Sequence, residues 1–327
     1  MRTPTHAPLL MLLGALSACA GDGDKDTSAA DDLTDNHTPG GGGDDDTDAD
    51  GDGFSIADGD CDDSDAAIFP FDRTETGGDT GCGYRVAAGA EFYCALDSGG
   101  ALSCDGASNA GQLDHPAGVF VEVTAGASHA CARDADGAVS CWGYDTYGQA
   151  SPPDEAFVMI DGGGYLSCGL TPSGTAVCWG GYAAGTTPSP DGTFVDVAAG
   201  TWHACGVTTD GRIDCWASDE ATTFSAPPGG TDFVEVDVGQ LDFGCARTSG
   251  GAAVCWGEEA EELPELPSSG VVSIEVSSIG TLCMLHDTDA VTCVGEHPFD
   301  ETGPYQQIST EQGDLCTIDA LGAIACT

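Results

Sequence analysis

From about residue 83 onward, apolar and polar positions alternate in short bursts that return at a near-constant interval. Val119-Phe120-Val121-Glu122-Val123, Phe194-Val195-Asp196-Val197 and Phe233-Val234-Glu235-Val236-Asp237-Val238 each have period two, which predicts a strand with one buried face. A glycine at the end of such a strand (Gly126, Gly163, Gly200, Gly239) then turns the chain. Cysteine pairs ten positions apart follow: Cys94/Cys104, Cys131/Cys141, Cys168/Cys178, Cys205/Cys215, Cys245/Cys255, Cys283/Cys293 and Cys316/Cys326. The first member of each pair recurs after 37, 37, 37, 40, 38 and 33 residues.

Six residues past each first cysteine stands Gly100, Gly137, Gly174, Gly211, Gly251 or Gly322, with Asp289 in the sixth repeat. A three-residue hairpin loop on a type I turn needs its last residue in the left-handed region, where Gly is favoured and Asp tolerated. Centring the loop five residues past the first cysteine sets the two cysteines opposite each other, about 4.5–5.5 Å apart at Cα, within disulfide reach. Each repeat therefore predicts three strands or four and one cross-strand disulfide. Zinc is disfavoured because the CxxC-type spacing of metal knuckles is missing. Units of this kind stacked radially form an all-β, seven-bladed β-propeller over residues 83–327.

VTAGASHACARDADGAVSCWGYDTYGQ (123–149) resembles the repeat of the regulator of chromosome condensation family, with its AG, His, DG, WG and GQ elements. Cys141-Trp142-Gly143, Cys178-Trp179-Gly180, Cys215-Trp216 and Cys255-Trp256-Gly257 repeat the WG element, and Gly111-Gln112-Leu113 the GQ. The resemblance implies a seven-bladed ring. The compact repeats are similar to those of bacterial secreted members such as the propeller-type β-lactamase inhibitor. In the last two repeats Val294 and Thr327 replace the Trp. The seventh repeat is short of a strand, which predicts that residues near 83–87, or just before them, join it and close the ring.

Composition adds an address. There are 7 Lys+Arg against 55 Asp+Glu, a formal charge of −48, which excludes nucleic acid and acidic lipid as electrostatic partners. Arg2 precedes a short apolar run ending at Ala18, the pattern of an export signal over residues 1–18. Leu16-Ser17-Ala18-Cys19 resembles the lipobox of bacterial lipoproteins, which implies a lipid on Cys19. Residue 20 is Ala, not the Asp of inner-membrane retention, so an outer membrane or cell surface is expected. Lipid on Cys19 leaves sixteen cysteines of 17 in a disulfide-permissive compartment. Residues 19–43, almost devoid of apolar side chains, predict a disordered acidic tether.

Residues 44–82 are less random. Asp48, Asp50 and Asp52 occupy positions 1, 3 and 5 of a calcium loop, with Gly53 at the turn and the Phe54 carbonyl next. Gly59 stands where an EF-hand has its bidentate Glu, and Asp58 or Asp60 is placed to substitute. An Asp-rich linker also produces this spacing by composition alone. The segment resembles the Asp-rich metal-binding repeat of bacterial surface proteins, with Asp60-Cys61-Asp62-Asp63 and Pro70. That resemblance implies Ca²⁺ or a similar hard cation, and a Cys61–Cys82 disulfide.

Catalytic signals are missing: HExxH, GxSxG and Walker loops do not occur. His129 and His203 hold a repeat position filled elsewhere by Phe92, Leu166 and Phe243, which marks a packing site. The WG tryptophans read as blade-edge packing. Trp202 breaks the repeat pattern and is the candidate partner contact. The expectation is a monomeric, surface-anchored binding scaffold without catalysis, for a cationic protein or glycan. An inhibitor of an extracellular enzyme is the alternative. Guanine-nucleotide exchange, implied by the family's nuclear members, is discounted for an exported chain.

Overall fold

A computed structural model describes residues 85–326 apart from positions 98, 182–184, 218–223, 240–241, 258, 278, 297, 304, 312–313 and 320–323. The described residues hold seven antiparallel sheets. In chain order these are β1–β3 (Arg85–Gly89, Phe92–Leu96, Leu102–Gly106), β4–β6 (Glu122–Ala125, His129–Arg133, Val139–Gly143) and β7–β10 (Met159–Gly162, Leu166–Leu170, Ala176–Gly180, Gly185–Pro188). The fourth and fifth are β11–β13 (Phe194–Ala199, His203–Thr208, Ile213–Ala217) and β14–β16 (Phe233–Val238, Gly244–Thr248, Ala253–Trp256). The sixth is β17–β20 (Val271–Val276, Thr281–His286, Ala290–Gly295, Phe299–Thr302) and the seventh β21–β23 (Tyr305–Glu311, Asp314–Asp319, Ile324–Cys326). First strands touch first strands around the whole circle, β1 against both β4 and β21. The protein is a seven-bladed propeller with one disulfide per blade.

The glycine rule explains the hairpins. Gly100, Gly137, Gly174, Gly211, Gly251 and Asp289 all have φ between 60° and 86°. Gly100 N–H donates to Asp97 O at 2.9 Å and Asp97 N–H to Ala101 O at 3.0 Å, closing the expected three-residue loop. Each pair of cysteines is then in direct register, Cys131 opposite Cys141 for example. The bridges are Cys94–Cys104, Cys131–Cys141, Cys168–Cys178, Cys205–Cys215, Cys245–Cys255, Cys283–Cys293 and Cys316–Cys326. Their Cα atoms are 4.0–4.1 Å apart throughout, closer than the uncrosslinked spacing.

The second cysteines differ in their surroundings. Cys104 and Cys326 lie on the last described strand of their blades, β3 and β23. Cys293 instead lies inside its sheet, because β20 pairs with β19 and sets Phe299 opposite it. It is only 3% exposed and packs with Cys283, Leu285 and Ile308 between the sixth and seventh blades. The expected Cys283–Cys293 disulfide is present, and its second sulfur is enclosed in the core. Cys178, covered by β10 with Thr187 opposite, is enclosed in the same way.

Residues 85–89 do not add a strand to the last blade, and those just before them lie outside the described residues. Arg85–Gly89 pairs with Phe92–Leu96 as the first strand of the first blade, and the described part of the last blade is the three-stranded sheet β21-β22-β23. The reason lies in register: Ala87 stands opposite Cys94 as Thr124 stands opposite Cys131, so this segment is the first repeat's own inner strand. Among the described residues, side chains join the first blade to the last. Val86 N–H donates to Gln307 Oε1 at 3.3 Å, and Ala88 N–H to Ser309 Oγ at 2.9 Å.

The same device joins other neighbours. Gly162 N–H donates to Thr124 Oγ1 at 2.9 Å, Ala199 N–H to Asp161 Oδ2 at 2.8 Å, Val236 N–H to Asp196 Oδ2 at 2.7 Å, and Val276 N–H to Asp237 Oδ2 at 2.6 Å. A polar side chain on one inner strand thus satisfies an amide of the next, which buried backbone demands. Two buried glutamates add to this. Glu122 accepts from Ile160 N–H at 3.3 Å and Glu235 from Ile274 N–H at 3.2 Å. Their other oxygens bind Arg133 and Arg247 at 2.7 and 2.6 Å.

Buried apolar clusters sit between blades, one at each of the seven interfaces. Val86 and Ala88 of the first blade with Cys316 and Ile318 of the last complete the circle. At the inner turns, a Cβ on Gly126 would strike the Gly163 carbonyl, one on Gly163 the Gly200 carbonyl, and one on Gly200 the Gly239 carbonyl. The AG element is therefore a close-approach requirement between neighbouring blades.

Candidate functional site

Each blade turns from first to second strand at one face of the ring and from second to third at the other. On the first face the residue three before the first cysteine is Glu91, Ser128, Tyr165, Trp202, Asp242 or Gly280 in the first six blades. Tyr165 and Trp202 occupy this position in adjacent blades, with ring centroids 4.7 Å apart. Tyr147 lies 5.1 Å from Tyr165 and 5.3 Å from Trp202, and Tyr144 completes the group at 6.2 Å from Tyr165. All four rings are half-buried.

The loop carrying Tyr144 and Tyr147 is held from within. Tyr144 N–H donates to Ser128 O at 2.8 Å. Asp145 accepts from Ala150 N–H at 2.8 Å and from Ser151 Oγ at 2.7 Å, while Tyr147 N–H donates to Gln149 Oε1 at 3.1 Å. The result is a pre-ordered aromatic patch spanning three blades, with Asp145 exposed beside it and Asp242 half-buried one blade on.

Below this face the first strands surround a cavity of about 160 Å³. The residues opposite each first cysteine form one layer: Ala87, Thr124, Asp161, Ala198, Asp237, Glu275 and Ser309. Burial, then the charges of Glu275 and Asp161, push the Asp237 carboxyl well above the usual carboxylate range. Among the described residues, no three His, Cys, Asp or Glu side chains are grouped to hold a metal ion.

His129 and His203 are packing residues, 0% and 1% exposed. His129 Nε2 is 2.8 Å from Ser167 Oγ, which itself donates to Gln149 O at 2.9 Å. His203 stacks on Phe224 at 5.6 Å. Burial lowers both imidazole pKa values to about 4, against small opposing pulls from Asp145 and Asp242 respectively. The WG and GQ elements form one unit. Trp142 Nε1–H donates to Gln112 O at 2.7 Å and Trp179 Nε1–H to Gln149 O at 2.9 Å, so each indole of these two ties its blade to the GQ turn before it.

The regulator of chromosome condensation (RCC1) repeat family model matches residues 120–149 and 194–216, which carry these elements. These two stretches match the RCC1 repeat. Solved structures similar to this propeller include the receptor kinase CR4 ectodomain of Physcomitrella patens (21% identity, 74% of this chain and 72% of that one, TM-score 0.64). The ACR4 CRINKLY ectodomain of Arabidopsis thaliana matches at 20% identity, over 75% and 96%, with TM-score 0.62. Prp20p of Saccharomyces cerevisiae matches at 12%, over 64% and 71%, with TM-score 0.52. These likenesses establish the fold alone, and no curated protein matches the chain.

Of the residues singled out from sequence, Trp202 and the fourteen blade cysteines lie in the described ring. The cysteines, Cys283 and Cys293 among them, are crosslinks within their blades and take no part in the aromatic patch. Tyr144, Tyr147 and Tyr165 were missed; for Tyr165 the available signal was its shared repeat position with Trp202. Cys19, Cys61, Cys82, Asp48, Asp50, Asp52, Phe54, Asp58 and Asp60 lie outside the described residues. No described helix is long and apolar enough to cross a membrane. Seven disulfides point to an oxidising, extracytoplasmic setting.

Proposed function

We propose that the protein is an exported, lipid-anchored scaffold whose propeller binds a partner protein on the face bearing Tyr144, Tyr147, Tyr165 and Trp202. The aromatic patch carries this reading, because clustered Tyr and Trp rings on pre-ordered loops are typical binding anchors. The charge of −48 favours a cationic partner. Protein binding has precedent on the fold: a solved complex joins Kap60 to yeast RCC1 (Prp20), a propeller similar to this one at 12% identity. In this reading Cys19 carries the lipid, residues 19–43 are the tether, and residues 44–82 bind Ca²⁺ through Asp48, Asp50, Asp52, the Phe54 carbonyl and Asp58 or Asp60, with Cys61 bonded to Cys82.

The test is affinity capture of extracellular proteins by the full chain, with and without Ca²⁺. A specific partner is expected on the wild type and on Val119→Ser, whose side chain is 69% exposed beside the opposite-face hairpin. Tyr165→Ala/Trp202→Ala should lose it. Equal recovery by all three would remove the patch as the site. Loss on chelation alone would make the metal segment regulatory.

A further inference from the structure

Resting on that reading of the face, we propose that the channel mouth beside Trp202 receives one guanidinium or ammonium side chain of the partner protein. The patch and the cavity are continuous in the chain: Gly164 and Thr201 line the cavity, and Tyr165 and Trp202 follow them directly. Gly163, Gly164, Gly200 and Gly239 also line it, so backbone rather than side chains frames the entrance.

Two independent observations define the ligand. First, the layer at the cystine level holds Asp161, Asp237 and Glu275 and no basic side chain. The only basic residue among the described lining, Arg85, belongs to the neighbouring layer with Glu122, opposite Leu96 and Arg133 respectively. The resulting repulsion is felt at Asp237, whose protonated form is favoured by its two acidic neighbours as well as by burial. Second, Thr201 lines the same cavity, is only 7% exposed, and its hydroxyl has no hydrogen-bond partner. An unmet buried hydroxyl lining the same cavity as mutually repelling carboxylates fits a cationic donor with several N–H groups.

Size and shape agree. A cavity of about 160 Å³ admits one long side chain and excludes a folded segment. The aliphatic stem of Lys or Arg would lie against Tyr165 and Trp202, and its charge would gain from the ring faces before reaching the acids. A divalent metal is disfavoured by the absence of a three-ligand group among the described residues. A neutral sugar would stack on the rings but leave the carboxylate layer unrelieved.

The probe is the N-acetylated, C-amidated peptide Gly-Arg-Gly, with its citrulline counterpart as the uncharged isostere, titrated calorimetrically into the full-length protein at about 0.15 M salt. Saturable binding of the Arg peptide is expected, about tenfold or more tighter than citrulline. Asp161→Asn/Glu275→Gln should weaken it by a similar factor. That variant removes two negative charges from a net −48, so general attraction to an anionic protein stays nearly intact while the local contact goes. Should the double variant fail to fold by circular dichroism, Thr201→Val, which keeps the shape and removes the hydroxyl, is expected to weaken binding several-fold. Equal affinity for citrulline, or unchanged affinity in the folded variants, overturns the proposal. So does saturable binding of an uncharged trisaccharide with no response to the Arg peptide. Partner capture that needs Trp202 but survives Asp161→Asn/Glu275→Gln leaves the scaffold reading standing and removes the channel from it.

Discussion

Mild acid should destabilise the ring through two histidines. The unfolded imidazole takes a proton below about 6.5, whereas buried His129 and His203 resist protonation until about 4. Their stability contribution is complete above pH 6.5 and is lost as pH falls towards 4, because the unfolded chain binds protons that the folded chain refuses. Going from pH 7.5 to 5.0 costs about 2 kcal/mol per histidine, or about 4 kcal/mol for both, if each pKa moves by about 2.5 units at 1.36 kcal/mol per unit. The geometry supports the direction: His129 Nδ1 and His203 Nδ1 are buried without an acceptor for a second proton. Asp237 works the other way, since its raised pKa makes protonation stabilising. A control removes that complication. Phe92 and Phe243 fill the same repeat position in other blades, so His129→Phe/His203→Phe keeps an apolar ring and deletes only the imidazoles. Urea unfolding at both pH values should show the wild type losing about 4 kcal/mol more than the double variant. Parallel losses in the two proteins would refute the reasoning.

Further perturbations target the joints. Asp196→Ala strips Val236 N–H of its acceptor and is expected to cost about 1–3 kcal/mol, while Asp196→Asn retains most of it; chemical denaturation separates them. Arg247→Met leaves Glu235 buried and uncompensated, a loss of about 3–5 kcal/mol by the same assay. Trp179→Phe should cost more than its lost area because the Gln149 carbonyl loses one of its two donors, Ser167 Oγ being the other, by about 1 kcal/mol, read as a lowered urea midpoint.

Local rules carried much of the fold into the sequence. A glycine or Asp289 six places after each first cysteine announced a left-handed turn residue, and the described turns have it. The buried WG tryptophans, 1–7% exposed, were legible as packing because four repeats carry them alike. What depended on neighbours in space was not legible. The polar alternates of the inner strands, such as Asp161, Asp196 and Asp237, look like solvent-facing positions, yet they reach the next blade's amides. Nor does the regular ten-residue spacing reveal that Cys293 is enclosed by a fourth strand while Cys104 lies on the last described strand of its blade. The aromatic patch draws on three blades, so only Trp202, odd within its own repeat, stood out. That residues 85–87 form the first repeat's own inner strand was not legible either, because it follows from their register with Phe92–Leu96; Gln307 and Ser309 bond to that strand through side chains.

The account depends most on seven hairpins that each carry their own crosslink. Non-reducing peptide mapping of the purified protein should return linked pairs ten residues apart, from Cys94 with Cys104 through Cys283 with Cys293 to Cys316 with Cys326. Free thiols at these positions, or bridges joining different blades, would contradict it.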